Sequence, residues 1–251
     1  MNIIKKKIKN ILKIIKERKI NISWIKKEKN TNLFSIFPST KLTPEISRYS
    51  KKIEKIAETT NGLGPQPLWD GYGKNNIAGK TRMPDGVRTN YNMGNLYSQI
   101  VKHLQPNVIV EFGTAFGVSS MYFLSGIQEN SFGHLFTFEP NNQWRDIAVK
   151  NISEIGNQFT SISGTFEDNQ KTTLPDGTCI DLAFVDAIHT SAFVRPQIEI
   201  VLSRSHTGTI IILDDINFSD DMQKCWIELA NDERFIASAS LGNRVGILEV
   251  E

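Results

Sequence analysis

The chain has 251 residues, 39% of them hydrophobic and 22% charged, with a formal net charge of +2. This is enough for one sizeable α/β domain with an appendage, and no apolar run approaches the ~20 residues of a membrane span. Two cysteines, Cys179 and Cys225, are too few for a disulfide framework; both are expected as buried thiols in a reducing, cytoplasmic setting.

The small net charge conceals an asymmetry. Residues 1–30 carry 11 Lys/Arg against 2 Glu, a net of +9, while the other 221 residues carry 18 Lys/Arg against 25 Asp/Glu, a net of −7. An acidic main domain argues against broad nucleic-acid binding. Ile4, Ile8, Ile11, Leu12 and Ile15 recur at helical spacing among lysines, which predicts a basic amphipathic helix over residues 3–18. Its apolar stripe must be covered, by its own domain, by the mate in a homodimer, or by peripheral contact with an anionic surface. Charges interrupt every apolar run and no small-residue cleavage site follows, so a signal peptide is not expected.

Residues 19–43 read as a linker punctuated by Pro38 and Pro44, and residues 44–60 as a helix with proline in its first turn. Residues 61–90, rich in Gly, Pro and Asn and containing Trp69, Tyr72 and Met83, read as a substrate lid. From Gly94 onward strands and helices alternate. A helix (Leu96–Leu104) precedes strand Val108–Phe112, and a helix follows to Ile127. Next come strand Leu135–Glu139, helix Asn142–Ile155 and a short strand near Phe159–Ser163. Strand Ile180–Asp186, helix Ser191–Leu202, strand Thr209–Asp214 and helix Asp220–Ala230 continue the pattern. Phe235–Ala239 and Val245–Val250 are too close together for a crossover and form an antiparallel hairpin. The alternation implies an α/β, Rossmann-like, doubly wound and mostly parallel sheet of seven strands ending in that hairpin, with an N-terminal helical extension. The expected domains are an extension (1–30), a helix and lid segment (31–90) and a main domain (91–251).

The richest stretch is Val108–Ser120, VIVEFGTAFGVSS. A buried strand ends in Glu111, turns through Gly113 and Gly117, and enters a helix near Ser119, as a nucleotide cradle does. A dinucleotide fingerprint needs a middle glycine where Ala115 stands, which counts against an NAD(P) oxidoreductase. Glu139 closes the next strand, where an acid can accept hydrogen bonds from a ribose diol, and Pro140 follows it. Asp186 ends the fourth strand, and Asp214 and Asp215 end the fifth. Adjacent parallel strands bring such ends together, and converging carboxylates repel unless a cation relieves them. His189 lies three residues after Asp186 and suits a general base.

With an acid closing the strand, the loop resembles motif I (Glu/Asp-x-Gly-x-x-x-Gly) of the class I S-adenosylmethionine methyltransferases, and the terminal hairpin resembles their fold. The resemblance covers about residues 90–250. It implies that Glu111, Gly113, Gly117, Ser119, Glu139, Pro140 and Asp186 bind S-adenosylmethionine, with Phe166 and Glu167 of the segment SGTFEDN beside the adenine. Asn90–Gln99 is similar to the stretch before the first strand in catechol and caffeoyl-CoA type O-methyltransferases, which assigns Met93 and Gly94 to the methionine end. By the same likeness Asp186 and Asp214 match the aspartates of a Mg²⁺ site. Asp215 falls where asparagine is usual, leaving Asn217 as another third ligand. The Asp-x-x-His spacing of Asp186 and His189 resembles a bacterial branch of these enzymes. The expected function is metal-assisted methylation of a small-molecule hydroxyl, a secondary metabolite, phenol or sugar. Rivals are a metal-independent enzyme using His189 on an O or N acceptor, and a non-catalytic S-adenosylmethionine-binding protein. His103, His134 and His206 are expected as surface or structural residues.

Overall fold

Nine strands form one sheet in the computed structural model, which describes residues 19–68, 80–186 and 188–251. The expected helix over 3–18 and residues 69–79 of the expected lid lie outside the described residues.

The described residues begin with strand β1 (Ile20–Lys26), helix α1 (Asn32–Ile36), strand β2 (Lys41–Leu42) and helix α2 (Ser50–Asn61). Short strands β3 (Gln66–Pro67) and β4 (Thr81–Arg82) and a 3-10 turn at Pro84–Val87 lead to helix α3 (Tyr91–Leu104). Strand β5 (Val108–Phe112), helix α4 (Val118–Asn130), strand β6 (His134–Glu139) and helix α5 (Asn142–Ser153) follow. Then come strand β7 (Phe159–Ser163), helix α6 (Phe166–Thr173), strand β8 (Leu182–Val185) and helix α7 (Ser191–Leu202). Strand β9 (Ile210–Leu213), helix α8 (Asp220–Asn231), strand β10 (Phe235–Leu241) and strand β11 (Val245–Val250) complete the fold.

The sheet order is β2-β1-β10-β11-β9-β8-β5-β6-β7. Strands β9, β8, β5, β6 and β7 run parallel, and β11, β10, β1 and β2 continue the sheet antiparallel. The chain crosses from β7 at the edge back to β8 beside β5, so the strand order reverses between β5 and β8. A doubly wound sheet opens its ligand crevice at such a reversal, outside the carboxyl ends of the strands.

Side-chain alternation along the strands builds a core on each face. Ile109, Leu182, Ile212 and Ile247 pack under α3 and α4 with Tyr97 and Phe123, whereas Val110, Ala183, Ile211 and Leu248 face Ile198 of α7 and Trp226 of α8. Gly94 allows α3 and α4 to touch, because a Cβ there would lie 2.3 Å from the Tyr122 ring.

All seven expected strands form, but the sheet has nine, because the expected linker at 19–43 is structured. In β1 the buried Ile20 and Ile22 alternate with exposed Asn21 and Ser23, and the strand pairs with β10. Flanking lysines and a run of only seven residues hide that alternation. Thr31 caps α1, and buried Glu249 of β11 accepts the N–H groups of Asn32 (2.9 Å) and Leu33 (2.7 Å). The expected helix at 44–60 starts only at Ser50, leaving Pro44 outside it, since the Asn95 side chain takes the Ser47 N–H at 2.9 Å and holds that segment non-helical. Cys225 is buried as expected. Cys179 is exposed, because it lies in the turn before β8 rather than in the strand.

Candidate active site

The glycine loop between β5 and α4 is held from β6. The N–H groups of Gly113 and Thr114 donate to the Phe138 carbonyl at 3.0 and 3.2 Å, and the Ala115 N–H donates to Glu139 Oε2 at 2.8 Å. The backbone bends through positive φ at Gly113 (91°), Ala115 (45°) and Gly117 (83°). Left-handed backbone costs a non-glycine residue roughly 1–2 kcal/mol, so the bond to Glu139 holds Ala115 in a conformation it would not choose. A Cβ at Gly117 would meet Ile152 at 2.9 Å, so that position has neither the conformation nor the space for a side chain.

Glu139 therefore does two things the sequence did not reveal. Its Oε2 pins the loop and its Oε1 accepts the Asn141 N–H at 2.8 Å, the first one available after Pro140. Burial raises its carboxyl to about 7 despite those bonds. Glu111 is fully buried, and its Oε2 accepts from the hydroxyls of Ser120 and Thr137. Burial raises its pKa too, and its Oε1 has no hydrogen-bond partner. An orphaned buried acceptor at the head of a glycine loop is the feature a bound polar group would satisfy. A narrow cleft beside it is lined by Thr89, Gly113, Ala115, Phe116, Ser119 and Asp186.

The remaining expected cofactor residues divide. Ser119 lines the cleft from the first turn of α4. Met93 is buried in the first turn of α3, where the Asn90 side chain accepts its N–H at 3.0 Å. Gly94 backs onto Tyr122, which gives it a packing reason. The segment at 163–169 becomes helix at Phe166, with Thr165 as its cap. The Phe166 ring is buried edge-on against Phe112 (4.1 Å) and Phe138 (5.2 Å), in the core under the strand ends. Glu167 accepts from Gln197 at 2.7 Å.

The second half of the site lies across the β5–β8 reversal. Val185 pairs with Leu213, so the residues that follow them, Asp186 and Asp214, emerge side by side as expected. The Asp186 N–H donates to the Phe112 carbonyl at 3.0 Å, and the Asp214 N–H to Val185 at 3.1 Å. His189 Nε2 stands 3.6 Å from Asp186 Oδ1 and 3.5 Å from Asp215 Oδ2, bringing the three residues together. Asp215 adopts a left-handed φ of 53° that only a few residue types tolerate. Burial, and then the charges of Asp214 and Asp215, raise the Asp186 carboxyl well above its usual range. Burial lowers the His189 pKa below its ordinary value, against the pull of Asp215 and Asp214. Asn217 is exposed.

Three participants were not legible beforehand. Arg244, in the turn between β10 and β11, donates to buried Asp214 through Nε (3.1 Å) and Nη2 (2.9 Å) and reaches Asp215 Oδ1 at 2.7 Å. Tyr97 of α3 has a buried hydroxyl with no partner, and burial and the charges of Asp214 and Asp186 push its pKa well up, so it stays a phenol. Phe218 is 66% exposed, with its ring 5.4 Å from the His189 ring. The expectation of a Mg²⁺ site changes accordingly. Carboxylates are the right donors for such a cation, but the oxygens of Asp214 and Asp215 already hold a guanidinium. Among the described residues no group of three or more His, Cys, Asp and Glu is arranged to hold a metal ion.

Comparison with known proteins agrees with this fold. Residues 110–216, from β5 to just past the end of β9, match a family model described as a methyltransferase domain. No curated protein matches the chain in sequence. Among solved structures, the O-methyltransferase TomG from Streptomyces achromogenes, involved in tomaymycin synthesis and in complex with S-adenosylmethionine, is 15% identical. That similarity has a TM-score of 0.58 and covers 83% of this chain and 92% of that one. The O-methyltransferase from Bacillus cereus, in complex with S-adenosylhomocysteine, is 17% identical with a TM-score of 0.56, covering 79% and 90%. The Podospora anserina methyltransferase PaMTH1, bound to S-adenosylhomocysteine, is 14% identical with a TM-score of 0.53, covering 84% and 98%. With its glycine loop, its strand order and its closing antiparallel strands, the chain has the fold of these methyltransferases, and its central segment matches the methyltransferase-domain model.

Proposed function

We propose that the chain moves a methyl group from S-adenosylmethionine to a hydroxyl of a small molecule, with His189 as the base that takes the hydroxyl proton. The observation that carries this reading is the placement of His189 beside Asp186 and Asp215, across the sheet reversal from the glycine loop. The cofactor, when bound, supplies an electrophilic methyl on a sulfonium whose departure leaves a neutral thioether. The cradle fits it in kind. The loop bends through left-handed backbone at the strand end, Glu111 Oε1 is an acceptor in need of a donor, and Glu139 stands at the second strand end.

On the acceptor side the chain supplies orientation and a proton sink. Burial keeps the His189 imidazole neutral and so able to accept a proton. Asp186 and Asp215 flank Nε2 and stabilise the imidazolium that forms as the acceptor oxygen bonds to the methyl carbon. Phe218 offers an exposed ring beside the base, which favours an acceptor with a flat or apolar face. The metal-independent form of the reaction is preferred here, because Arg244 engages the carboxylates on which a cation would sit.

Calorimetric titration with S-adenosylhomocysteine, S-adenosylmethionine and NAD tests the cofactor half. The two sulfur cofactors should bind and NAD should not, and Gly113→Val should abolish binding by forcing a β-branched residue into left-handed backbone. Equal affinity for NAD would sink the reading. Mass spectrometry of hydroxyl acceptors incubated with protein and S-adenosylmethionine then reads the transfer itself.

A further inference from the structure

The carboxylates of Asp214 and Asp215 after β9 share one guanidinium supplied from within the chain. Asp214 Oδ1 accepts from Arg244 Nε (3.1 Å) and from the Asp215 N–H (2.9 Å), while Oδ2 accepts from Arg244 Nη2 (2.9 Å). Asp215 divides its oxygens between Arg244 Nε at 2.7 Å and His189 Nε2 at 3.5 Å. Arginine suits this place because its fork is rigid and it carries its charge at every accessible pH. The turn that delivers it is itself fixed. Gly242 and Asn243 bend through left-handed conformations between paired Leu241 and Val245, and the Arg244 carbonyl accepts the Ile216 N–H at 2.9 Å. The guanidinium is thereby anchored by its own backbone to the loop it neutralises.

We propose that Arg244 is the resident cation of the acceptor site, occupying the carboxylates that would otherwise recruit a divalent metal ion and making methyl transfer independent of added metal. This deepens the function proposed above and rests on it for the transfer step alone. Adjacent carboxylates need compensating charge, and a guanidinium shared by Asp214 and Asp215 supplies one such charge without a diffusible ion. The arginine belongs to the antiparallel hairpin of β10 and β11, outside the matched domain segment.

The test uses Mn²⁺ as the probe, titrated against full-length protein and followed by the electron paramagnetic resonance of the free ion. Wild-type protein should leave the signal unchanged. Arg244→Gln should bind Mn²⁺ at least about tenfold tighter, since it uncovers the carboxylates while keeping a polar side chain. Asp214→Asn added to that variant should remove the gain. Equal Mn²⁺ affinity in wild type and Arg244→Gln, whether tight or absent, overturns the proposal. If Arg244→Gln fails to fold, wild type and Asp214→Asn decide it: saturable Mn²⁺ binding by wild type that Asp214→Asn abolishes overturns it, and no wild-type binding upholds it. Chelation by EDTA should leave wild-type methyl transfer unchanged, and a loss restored by Mn²⁺ overturns the proposal as well. The resonance readout needs no acceptor, so absence of methyl transfer would count against the functional reading alone.

Discussion

Strand β8 carries a carboxylate near each end, and each meets a histidine. At the N-terminal end Asp181 Oδ1 bonds His206 Nε2 at 2.8 Å, and the other ring nitrogen bonds the Thr207 carbonyl at 2.8 Å. Both nitrogens face acceptors, the side chain is 45% exposed, and the bond to Asp181 raises the His206 pKa above its ordinary value. At the C-terminal end Asp186 and His189 stand at 3.6 Å with little access to water, and burial lowers the His189 pKa. The same two residue types thus reach opposite protonation preferences. A histidine held by two acceptors in water holds its proton to higher pH. A buried one, beside Asp186 and an Asp215 that Arg244 engages, releases it at lower pH, as a base requires.

The sharpest way to break this contrast is His189→Ala. Turnover should fall by about 10²–10⁴-fold while S-adenosylhomocysteine affinity stays within twofold or so of wild type. Initial rates and calorimetry on one preparation check it, and unchanged turnover would return His189 to a structural role. A smaller effect separates packing from cofactor contact in the other half of the site. Gly94→Ala should destabilise the fold by about 1–3 kcal/mol in urea unfolding, because its Cβ lands on the Tyr122 ring. Retained affinity for S-adenosylhomocysteine in folded Gly94→Ala protein would leave packing as the reason for this glycine, and a loss of binding in stable protein would support the cofactor role expected of it.

The smallest effect tests the exposed pair. The folded pKa of His206 is raised, so its stabilising contribution is fully present below the unfolded value of about 6.5 and is lost as pH rises through the folded value. His206→Gln keeps a donor toward Asp181 and removes the charge. Wild type should exceed it by less than about 1 kcal/mol at pH 5.5, and the difference should shrink toward pH 8.5 and in high salt. A difference that grows with pH would contradict the sign.

Much of the site was readable because it follows from local order. Glu111, Gly113 and Gly117 lie within one β-turn-α segment, and the apolar runs before Asp186 and Asp214 mark where buried strands end. Two kinds of feature were not readable. The alternation in Ile20–Lys26 is masked by lysines, and its pairing partner β10 lies more than two hundred residues away. Arg244 sits in a visible hairpin turn, but nothing local says which strand end that turn covers. The packing of Phe166 was not readable either: Thr165 caps the helix that begins there, and the ring lies edge-on against Phe112.

The sequence by itself determined the parallel α/β order, the glycine loop and the four titratable residues at the ends of β8 and β9, because hydrophobic period and turn chemistry act over a few residues. Only the tertiary structure decided the nine-strand sheet, the loop-pinning bond of Glu139 and the charge that balances the carboxylates. Those depend on register between distant strands, where one residue of slip would turn a side chain to the other face. Which of two histidines holds its proton to higher pH was decided there too, since each ring's shift answers to its burial and its partners rather than to its neighbours in the chain.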